Sequence, residues 1–522
     1  MASSERESAF IAASSRGSLV TPLVGAAWAL LGAVAAGVVL VGDGPVALGV
    51  ERLAPLAVFC LHVALGGAWS WRALRRPGRG GVVLALLPAV TLLGIVWLPA
   101  VPHLRRVAET AGAHGPSVVL VTLDTFRADH LGALGGSAST PNLDQLADRG
   151  LVYERAFACA PLTAPSHACL LSGLAVPEHG LRGNGGHIDV ATVAATIAAR
   201  GYRTGAFVSA RVLSRETGLD DGFSHYDDAW TVAQRLAFVP VLHPLGRMGP
   251  VERSGDRSVE RALTWLASGA APAFLWVHLY DPHVPYAPDL AHAPSPALLE
   301  GARAADEAAR RAGDLGDVEG AHADEGRLLY SAEIATVDAR VGKLVDALPT
   351  DAIVVVVGDH GEALGEHGYW FNHGALLHDP ALHVPMIVRW PGRGDGVRVS
   401  GLVATTRVAR ILDAATGGPA VDLASADDEV LAYTPGQQNR RPPAGAIGRH
   451  TVPTAAIRFS AEKVVARKHE PAEYFDLSVD PGELSPIAVP AGREEAAIRA
   501  SSVAVPGDDA DVERLRSLGY VE

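Results

Sequence analysis

The chain after about residue 115 alternates between strand-like and helix-like patterns of apolar and polar residues. Three nearly continuous apolar runs have the length and β-branched character of strands buried on both faces of a sheet: residues 117–124, 274–278 and 352–359. Three helical patterns lie between these runs: residues 140–150, 191–201 and 330–348. This alternation predicts an α/β fold in which helices sandwich a mostly parallel sheet.

Acidic and imidazole side chains stand where the predicted strands end. Asp124 and Asp359 close the runs 117–124 and 352–359, His360 follows Asp359 directly, and His278 and Asp281 lie at or just after the end of the run 274–278. Ligands of such sheets bind beyond the carboxyl ends of the strands. Turn chemistry accounts for an acid at any single strand end, but three coincident endings favour a common site. Carboxylate oxygen and imidazole nitrogen are ligands for zinc and hard cations, so the pattern predicts a divalent-metal site.

A hydroxyl-bearing segment adds a candidate nucleophile. Residues 160–173 read APLTAPSHACLLSG, in which Thr163, Ser166 and His167 occupy a proline-punctuated turn that leads into an apolar helix. A hydroxyl there lies near a helix N-terminus, where backbone N–H groups favour an anion. The alternative is an ordinary N-cap formed by Thr163 or Ser166.

Three uncharged apolar runs precede this region: residues 19–41, 53–71 and 82–101. Each is close to the roughly 20 residues that a helix needs to cross a bilayer. Arg6 and Arg16 precede the first run, and four arginines separate the second from the third, so the positive-inside bias places the N-terminus in the cytoplasm. We expect an integral membrane protein with an extracytoplasmic catalytic domain; buried core helices are the alternative.

The patterns divide the chain into four predicted parts. These are a cytoplasmic segment (residues 1–18), a membrane region with three transmembrane helices (19–101), a catalytic domain (115–400) and a smaller C-terminal subdomain with its tail (401–522). Within the catalytic part, residues 291–326 are rich in Ala, Glu, Asp and Arg and predict a surface insertion.

The net charge limits the classes of binding partner, and the number of cysteines limits the number of disulfide bonds. The formal net charge of -13 disfavours nucleic acid as a partner, and it means that an anionic substrate must be attracted locally, by a metal or by a few Arg and His side chains. Of three cysteines, Cys60 lies in an apolar run, so Cys159 and Cys169 leave room for at most one disulfide in the rest of the chain.

Eight separated segments resemble signatures of the sulfatase family, in the family's order: LVTLDTFRADHLG, STPNLDQLADRG, PLTAPSHACLLSG, PEHGLRGN, HLYDPHVPY, GDHGEALGEHG, LHVPMIVRWPG and EYFDLSVDPGE. The closing ERLRSLGYVE is also similar to the family's end. The resemblance covers about residues 117–522. It implies an alkaline-phosphatase-like fold and cleavage of sulfate or phosphate esters.

The resemblance also implies roles for single residues. Asp124, Asp359 and His360 match the family's metal ligands, and Thr163 matches the nucleophile, which also contacts the metal. His167 falls where sulfatases place an arginine beside the nucleophile.

Further matching positions concern the substrate. His278 and His373 match positions that contact the sulfuryl or phosphoryl oxygens and the leaving group, His373 replacing a lysine common in sulfatases. Arg127 and Arg182 lie in matching motifs and are candidates for neutralising the anion. A second metal is the hypothesis for Asp281 and His283.

Thr163 departs from the sulfatase pattern, in which a Cys or Ser within Cys/Ser-x-Pro-x-Arg is oxidised to formylglycine. The nearby Cys159-Ala160-Pro161 lacks the arginine and is out of register with the helix that follows. Threonine as nucleophile, with His360 in place of a common asparagine, resembles instead the phosphoryl-transferring branches that use zinc.

The sequence therefore predicts a metal-dependent hydrolase or transferase acting on phosphate or sulfate esters, with threonine favouring phosphoryl chemistry. Zinc is the favoured cofactor and calcium the alternative. The predicted partners are the membrane and an anionic ester, for which a lipid-linked and a glycan-linked ester are the candidates. Two other hypotheses stay open: a sulfuric ester hydrolase, and a catalytically silent binding protein on the same fold.

Overall fold

The computed structural model describes residues 114–228, 253–269, 272–298, 300, 323–436 and 452–504. The three predicted membrane spans lie outside these ranges and stay predictions, as does most of the predicted insertion at residues 291–326. Across the described ranges, no helix combines the length and apolar character that crossing a bilayer requires.

Fifteen strands are formed within the described residues. They are β1 (Val118–Leu123), β2 (Leu151–Phe157), β3 (Arg203–Phe207), β4 (His225–Asp227), β5 (Ala273–Leu279), β6 (Ile353–Gly358), β7 (Ala363–Leu364), β8 (Trp370–Asn372), β9 (His383–Val384), β10 (Met386–Arg389), β11 (Val397–Ala404), β12 (Val430–Thr434), β13 (Thr454–Arg458), β14 (Glu462–Arg467) and β15 (Glu473–Asp476).

Nine α-helices accompany them in the same ranges. They are α1 (Pro141–Asp148), α2 (Thr163–Ser172), α3 (Val176–His179), α4 (Val193–Ala199), α5 (Gly255–Ala267), α6 (Ala323–Asp346), α7 (Asp379–Leu382), α8 (Arg407–Ala415) and α9 (Glu494–Ala504).

The largest sheet has nine strands in the order β11-β2-β10-β6-β1-β5-β3-β4, with β9 paired to β2. Strands β6, β1, β5, β3 and β4 run parallel to one another. Strand β10 is antiparallel to both β2 and β6, while β11 runs parallel to β2. The predicted α/β fold with a mostly parallel sheet is confirmed.

The central strands are apolar on both faces because helices cover both. Alternate residues of β1 point to opposite sides: Val118 and Leu120 pack into one core, Val119 and Val121 into the other. The first core includes residues of α2, α4 and α8, and the second includes residues of α1, α5 and α6. This double burial explains why the runs of β1 and β6 read as continuous rather than alternating.

A second sheet, antiparallel and four-stranded, has the order β12-β13-β14-β15 and packs against α9. Its apolar core also includes Ala160, Val176 and the disulfide-bonded pair Cys159 and Cys169. This sheet therefore contacts the segment that leads into α2, and so contributes to the position of Thr163.

Candidate metal-binding active site

The site forms where β6, β1 and β5 end side by side. Asp124 follows β1 and donates its backbone N–H to the Leu279 carbonyl, 3.0 Å away. Asp359 follows β6 and donates its N–H to the Leu123 carbonyl at 3.1 Å. Because the three parallel strands share one carboxyl edge, the structure brings Asp124, Asp359, His360 and His278 together. All four side chains are fully buried.

The two carboxylates are only partly satisfied by the protein. Asp359 Oδ1 accepts hydrogen bonds from the N–H groups of Thr125 (3.2 Å) and His360 (2.7 Å). Asp359 Oδ2 and both oxygens of Asp124 are buried without a hydrogen-bond partner. Buried carboxylate oxygens without partners are costly and call for a ligand.

Burial raises the pKa of both acids. It raises the pKa of Asp124 to about 6, against the smaller opposing effect of the charge of His283. Burial and the neighbouring negative charge of Asp124 raise the pKa of Asp359 well above its usual value. Two buried carboxylates of like charge ionise together only when a cation lies between them.

His360 turns one ring nitrogen toward these oxygens. Its Nδ1–H donates to the Gly361 carbonyl at 2.9 Å, which leaves Nε2 as the lone-pair nitrogen. Nε2 lies 3.6 Å from Asp359 Oδ2, 3.7 Å from Asp124 Oδ1 and 3.4 Å from Thr163 Oγ1. Burial and the nearby His373 lower the pKa of His360, so the ring is neutral, the form that binds a metal.

Thr163 is the first residue of α2, and its hydroxyl is not used as a cap. Leu162 occupies the N-cap position without a side-chain bond. The Ala164 N–H is instead satisfied by Asn184 Oδ1 at 2.9 Å, and Ser166 Oγ donates to the Asp359 carbonyl at 2.5 Å. The N-cap alternative is therefore wrong for both residues, and the Thr163 hydroxyl faces His360.

His167 is held by a chain of hydrogen bonds. Its Nδ1–H donates to the Thr163 carbonyl at 2.7 Å, and its Nε2 lies 2.9 Å from Thr122 Oγ1. Trp276 Nε1 donates to the same Thr122 oxygen at 3.0 Å, so the Thr122 proton is directed to His167. Both ring nitrogens of His167 are thus occupied, and His167 braces the first turn of α2.

His278 is at the floor of the site, and neither of its ring nitrogens has a hydrogen-bond partner. Its Nε2 lies 3.4 Å from Asp124 Oδ2. Burial, and secondarily the charge of Arg253, lower the pKa of His278 to about 3, so the ring is neutral at physiological pH.

His373 and His283 meet beside His360. Their Nε2 atoms are 2.9 Å apart, and His373 Nδ1 donates to the Pro161 carbonyl at 3.0 Å. The His373 ring centroid is 4.4 Å from that of His360. The structure therefore places His373, as well as His283, next to the predicted metal ligands.

The other predicted residues are bonded elsewhere or lie further out. The Arg127 guanidinium pairs with Asp129 at 2.6 Å and Glu366 at 2.8 Å. Arg182 lies over the Tyr433 ring at 5.0 Å, and its NH1 has no hydrogen-bond partner. Asp281 pairs with Arg340 of α6 at 2.5 Å.

Two groups of three metal-type ligand atoms occur within the described residues, each with its atoms within 4.8 Å of one another. One consists of Asp124, Asp359 and His360, and the other of His167, His278 and Asp359. Neither includes Asp281 or His283. The first group fits a divalent metal, because three of its four carboxylate oxygens lack hydrogen-bond partners and its imidazole presents a lone pair.

Several residues that shape the site were not singled out from the sequence: Thr122, Asn184, Trp276 and Glu362. Thr122 carried a signal, because it is the polar residue within the apolar run of β1. Asn184 lies in the LRGN segment. Glu362 follows the ligand pair of β6 and accepts a hydrogen bond from Tyr286; burial raises its pKa to about 8.

Fold and site together define an ester hydrolase of α/β architecture with ligand groups for a divalent metal. The sulfatase family model matches residues 116–416, more than half of the chain. The chain belongs to the sulfatase family.

Relatives agree with this assignment. The chain is 26% identical to iduronate 2-sulfatase of Homo sapiens over 380 residues, 60% of this chain and 68% of the relative. It is 24% identical to an arylsulfatase of Clostridium perfringens over 343 residues, 53% of this chain and 69% of the relative. The solved phosphonate monoester hydrolase of Agrobacterium radiobacter has the same fold, with a TM-score of 0.55 and 23% identity over 77% of this chain and 95% of that one.

Proposed function

We propose that the chain cleaves phosphate esters, with Thr163 as nucleophile and one divalent metal held by Asp124, Asp359, His360 and the Thr163 hydroxyl. The observation that carries the proposal is the convergence of these groups from three distant segments. Oxygens of both carboxylates lack partners, and His360 Nε2, 3.4 Å from Thr163 Oγ1, is turned toward them.

A bound divalent metal lowers the pKa of a hydroxyl and stabilises negative charge on a transferring group. Zinc is favoured because the donor set mixes imidazole nitrogen with carboxylate oxygen; calcium, which prefers oxygen alone, is the alternative. Asp359 and Asp124 supply the two negative charges that balance the cation.

The remaining side chains divide into two roles. His373 and His278 are the proposed contacts to nonbridging oxygens or to the leaving group, with His283 sharing a proton with His373 across their 2.9 Å contact. Arg182 is the better of the two arginine candidates for the substrate, because NH1 has no hydrogen-bond partner whereas Arg127 is neutralised by Asp129 and Glu366. His167 positions Thr163 through its carbonyl.

Threonine supports phosphoryl over sulfuryl chemistry. The resemblance to sulfatases implies that the formylglycine hydrate releases sulfate after turnover, and threonine does not undergo that oxidation as the family performs it. Cys159 of the neighbouring Cys-x-Pro is bonded to Cys169 and is no free thiol. A phosphothreonine, by contrast, is hydrolysed by water or passed to an acceptor. Sulfate-ester hydrolysis is the second candidate, and the names of the relatives support it.

The test is a paired assay of the purified chain on an aryl phosphate, an aryl phosphodiester and an aryl sulfate. We expect turnover of a phosphate ester that Thr163→Ala reduces by at least about 10³-fold. Thr264→Ala, a change of the same size on the exposed face of α5, is the matched control and keeps full activity. Full activity of Thr163→Ala on every cleaved ester refutes the nucleophile assignment, and turnover of the sulfate alone selects the second candidate.

We further propose that the catalytic domain faces the extracytoplasmic side and acts on a lipid- or glycan-linked ester. The proposal rests on the arginine distribution around the three predicted spans. The Cys159–Cys169 disulfide supports it, because such bonds persist in oxidising compartments. In intact cells, added protease should digest a C-terminal epitope tag; protection of the tag until the membrane is permeabilised contradicts the orientation.

A further inference from the structure

His278 is held in the site differently from three other histidines around it. His360, His167 and His373 each donate a ring N–H to a backbone carbonyl, which fixes the orientation of the ring. Both ring nitrogens of His278 are buried without a hydrogen-bond partner. An imidazole with two unpartnered nitrogens can offer either of them to a substrate, but its position then depends on how its backbone and its neighbours hold it.

The backbone of His278 lies just beyond the pairing of β5 with β3. The last pair of that parallel ladder joins Phe207 to Val277, and β3 ends at Phe207. Ser209, two residues past the end of β3, donates its hydroxyl to the His278 carbonyl at 2.7 Å. A side chain therefore continues the connection between the two strands at the residue that carries the imidazole.

The Ser209 hydroxyl is itself oriented by a chain of buried hydrogen bonds. Its Oγ lies 2.7 Å from Ser258 Oγ of α5, and Arg253 Nε donates to Ser258 Oγ at 2.9 Å. Arg253 is in turn paired with Asp227 at 3.0 Å. A guanidinium only donates and a carbonyl only accepts, so Ser258 gives its proton to Ser209 and Ser209 gives its proton to the His278 carbonyl. All protons of the chain thus point toward His278.

We propose that Ser209 is a positioning residue for His278. Ser258 and Arg253 direct its hydroxyl to the carbonyl, and this restraint holds the imidazole against the substrate while both ring nitrogens stay available. The inference rests on the proposed function, in which His278 contacts the substrate. Misplacing a group at a reacting centre by about 1 Å can cost on the order of 10²-fold in rate, and the loss of one restraint should cost part of that.

The competing explanation is that the chain of hydrogen bonds stabilises the fold and has no effect on His278. A double-mutant cycle distinguishes the two, because a positioning residue loses its effect when the side chain that it positions is removed. A residue that only stabilises the fold acts in the same way in either background.

The cycle is measured by steady-state kinetics of the full chain in detergent, on an ester that the paired assay shows to be cleaved. Ser209→Ala should lower kcat by about 10-fold and change KM little. In a His278→Gln background the same change should lower kcat by less than about 2-fold. An unchanged kcat of Ser209→Ala, or a loss of about 10-fold that persists in the His278→Gln background, overturns the proposal.

Two further variants guard against misfolding and nonspecific effects. Ser258→Ala keeps the bond from Ser209 to the carbonyl but removes the group that orients it, so kcat should fall by about 3-fold, and again only where His278 is present. Ser224→Ala is the matched control, because the Ser224 hydroxyl also donates to a strand carbonyl, that of Thr204 near the start of β3, at 2.7 Å. This control should keep full kcat.

A binding measurement separates failure of this proposal from failure of the proposed function. Orthovanadate adopts the five-coordinate geometry of a transferring phosphoryl group, so its affinity for the Zn²⁺-loaded chain reports transition-state binding without turnover. By calorimetry, Ser209→Ala should weaken vanadate binding by about 10-fold in the wild-type background and by less than about 2-fold with His278→Gln. If no ester is cleaved, the proposed function fails while this cycle still decides; equal vanadate affinity of the wild type and Ser209→Ala overturns the positioning role.

Discussion

Two buried clusters of acids and histidines in this protein are built in opposite ways. In the active-site cluster (Asp124, Asp359, His278 and His360), the carboxylates lie against neutral imidazoles and backbone N–H groups of the described residues. In the C-terminal cluster (Asp379, Glu483, His378, Arg458 and Lys463), Lys463 contacts both acids and Arg458 pairs with Asp379 at 2.7 Å.

The pKa values follow the difference. Burial and like charge raise the pKa of Asp359. Burial also acts to raise the pKa of Glu483, but Lys463 and His378 outweigh it and hold that pKa well below its usual value. Two carboxyl groups that are buried to the same extent therefore have opposite pKa shifts. Asp359 lacks a cationic partner and is suited to bind a ligand, whereas Glu483 is paired with Lys463 and stabilises the fold. Internal cations are the distinguishing feature.

The largest expected effect is at the active-site cluster. Asp359→Asn removes a metal ligand and should reduce ester cleavage by at least about 10²-fold. In metal-free protein the same change removes a carboxyl group whose raised pKa makes burial unfavourable at neutral pH, and it should raise the free energy of unfolding by about 1–3 kcal/mol. Steady-state kinetics and urea unfolding with chelator measure the two effects. Asp346→Asn, at an exposed position of α6, should change neither; destabilisation by Asp359→Asn would erase the contrast between the clusters.

Lys463→Met should have the opposite effect on stability. It leaves Glu483 buried without its ammonium partner, and breaking a buried pair in this way costs about 3–5 kcal/mol. Chemical denaturation measures the loss. Lys343→Met is the matched control, because its surface pair with Glu260 is about half exposed and should contribute no more than about 1 kcal/mol. If Lys463→Met lowers the free energy of unfolding no more than Lys343→Met does, the C-terminal cluster does not stabilise the fold.

Thr122→Val tests the brace behind Thr163. Valine has nearly the same shape but leaves His167 Nε2 and Trp276 Nε1 without a partner, at a cost of about 1–3 kcal/mol. If His167 positions the nucleophile, kcat should fall by about 10-fold while KM changes little. Thr264→Val on the surface of α5 controls for the loss of a threonine hydroxyl. If stability falls but kcat does not change, the hydrogen-bond chain stabilises the fold without positioning Thr163.

The smallest effect concerns pH. Because the folded pKa of Glu483 lies below its unfolded value near about 4.3, its stabilising contribution is complete at neutral pH and is lost as pH falls through the folded pKa. The difference in unfolding free energy between wild type and Glu483→Gln should thus shrink as pH is lowered below about 4. Glu495→Gln, exposed on α9, should show no such trend. A difference that grows on acidification would contradict the depressed pKa.

The strands that carry the site could be predicted because they are buried on both faces. Continuous apolar runs identified β1, β5 and β6, and their endings located Asp124, Asp359 and His360. Strand β10 shows the limit: it has four residues, and its antiparallel place between β2 and β6 depends on long-range pairing.

The interaction partners that come from distant segments of the chain could not be predicted from the sequence either. Asp281 stands at a strand end like the other acids, but Arg340 of α6 neutralises it. The occupation of both His167 nitrogens depends on Thr122 and on the Thr163 carbonyl, which only the folded chain brings to the same place.

The segment 373–379, which begins at His373, is bonded to residues near the end of the chain, and this has a consequence for biosynthesis. Lys463 of β14 donates to the Leu377 carbonyl at 3.0 Å, and Glu483 accepts from the Asp379 N–H at 2.7 Å. These late residues leave the ribosome after every proposed metal ligand. Because synthesis proceeds from the N-terminus, a nascent chain contains all proposed metal ligands before it contains Lys463 and Glu483. We therefore expect catalytic activity to appear only when translation is nearly complete.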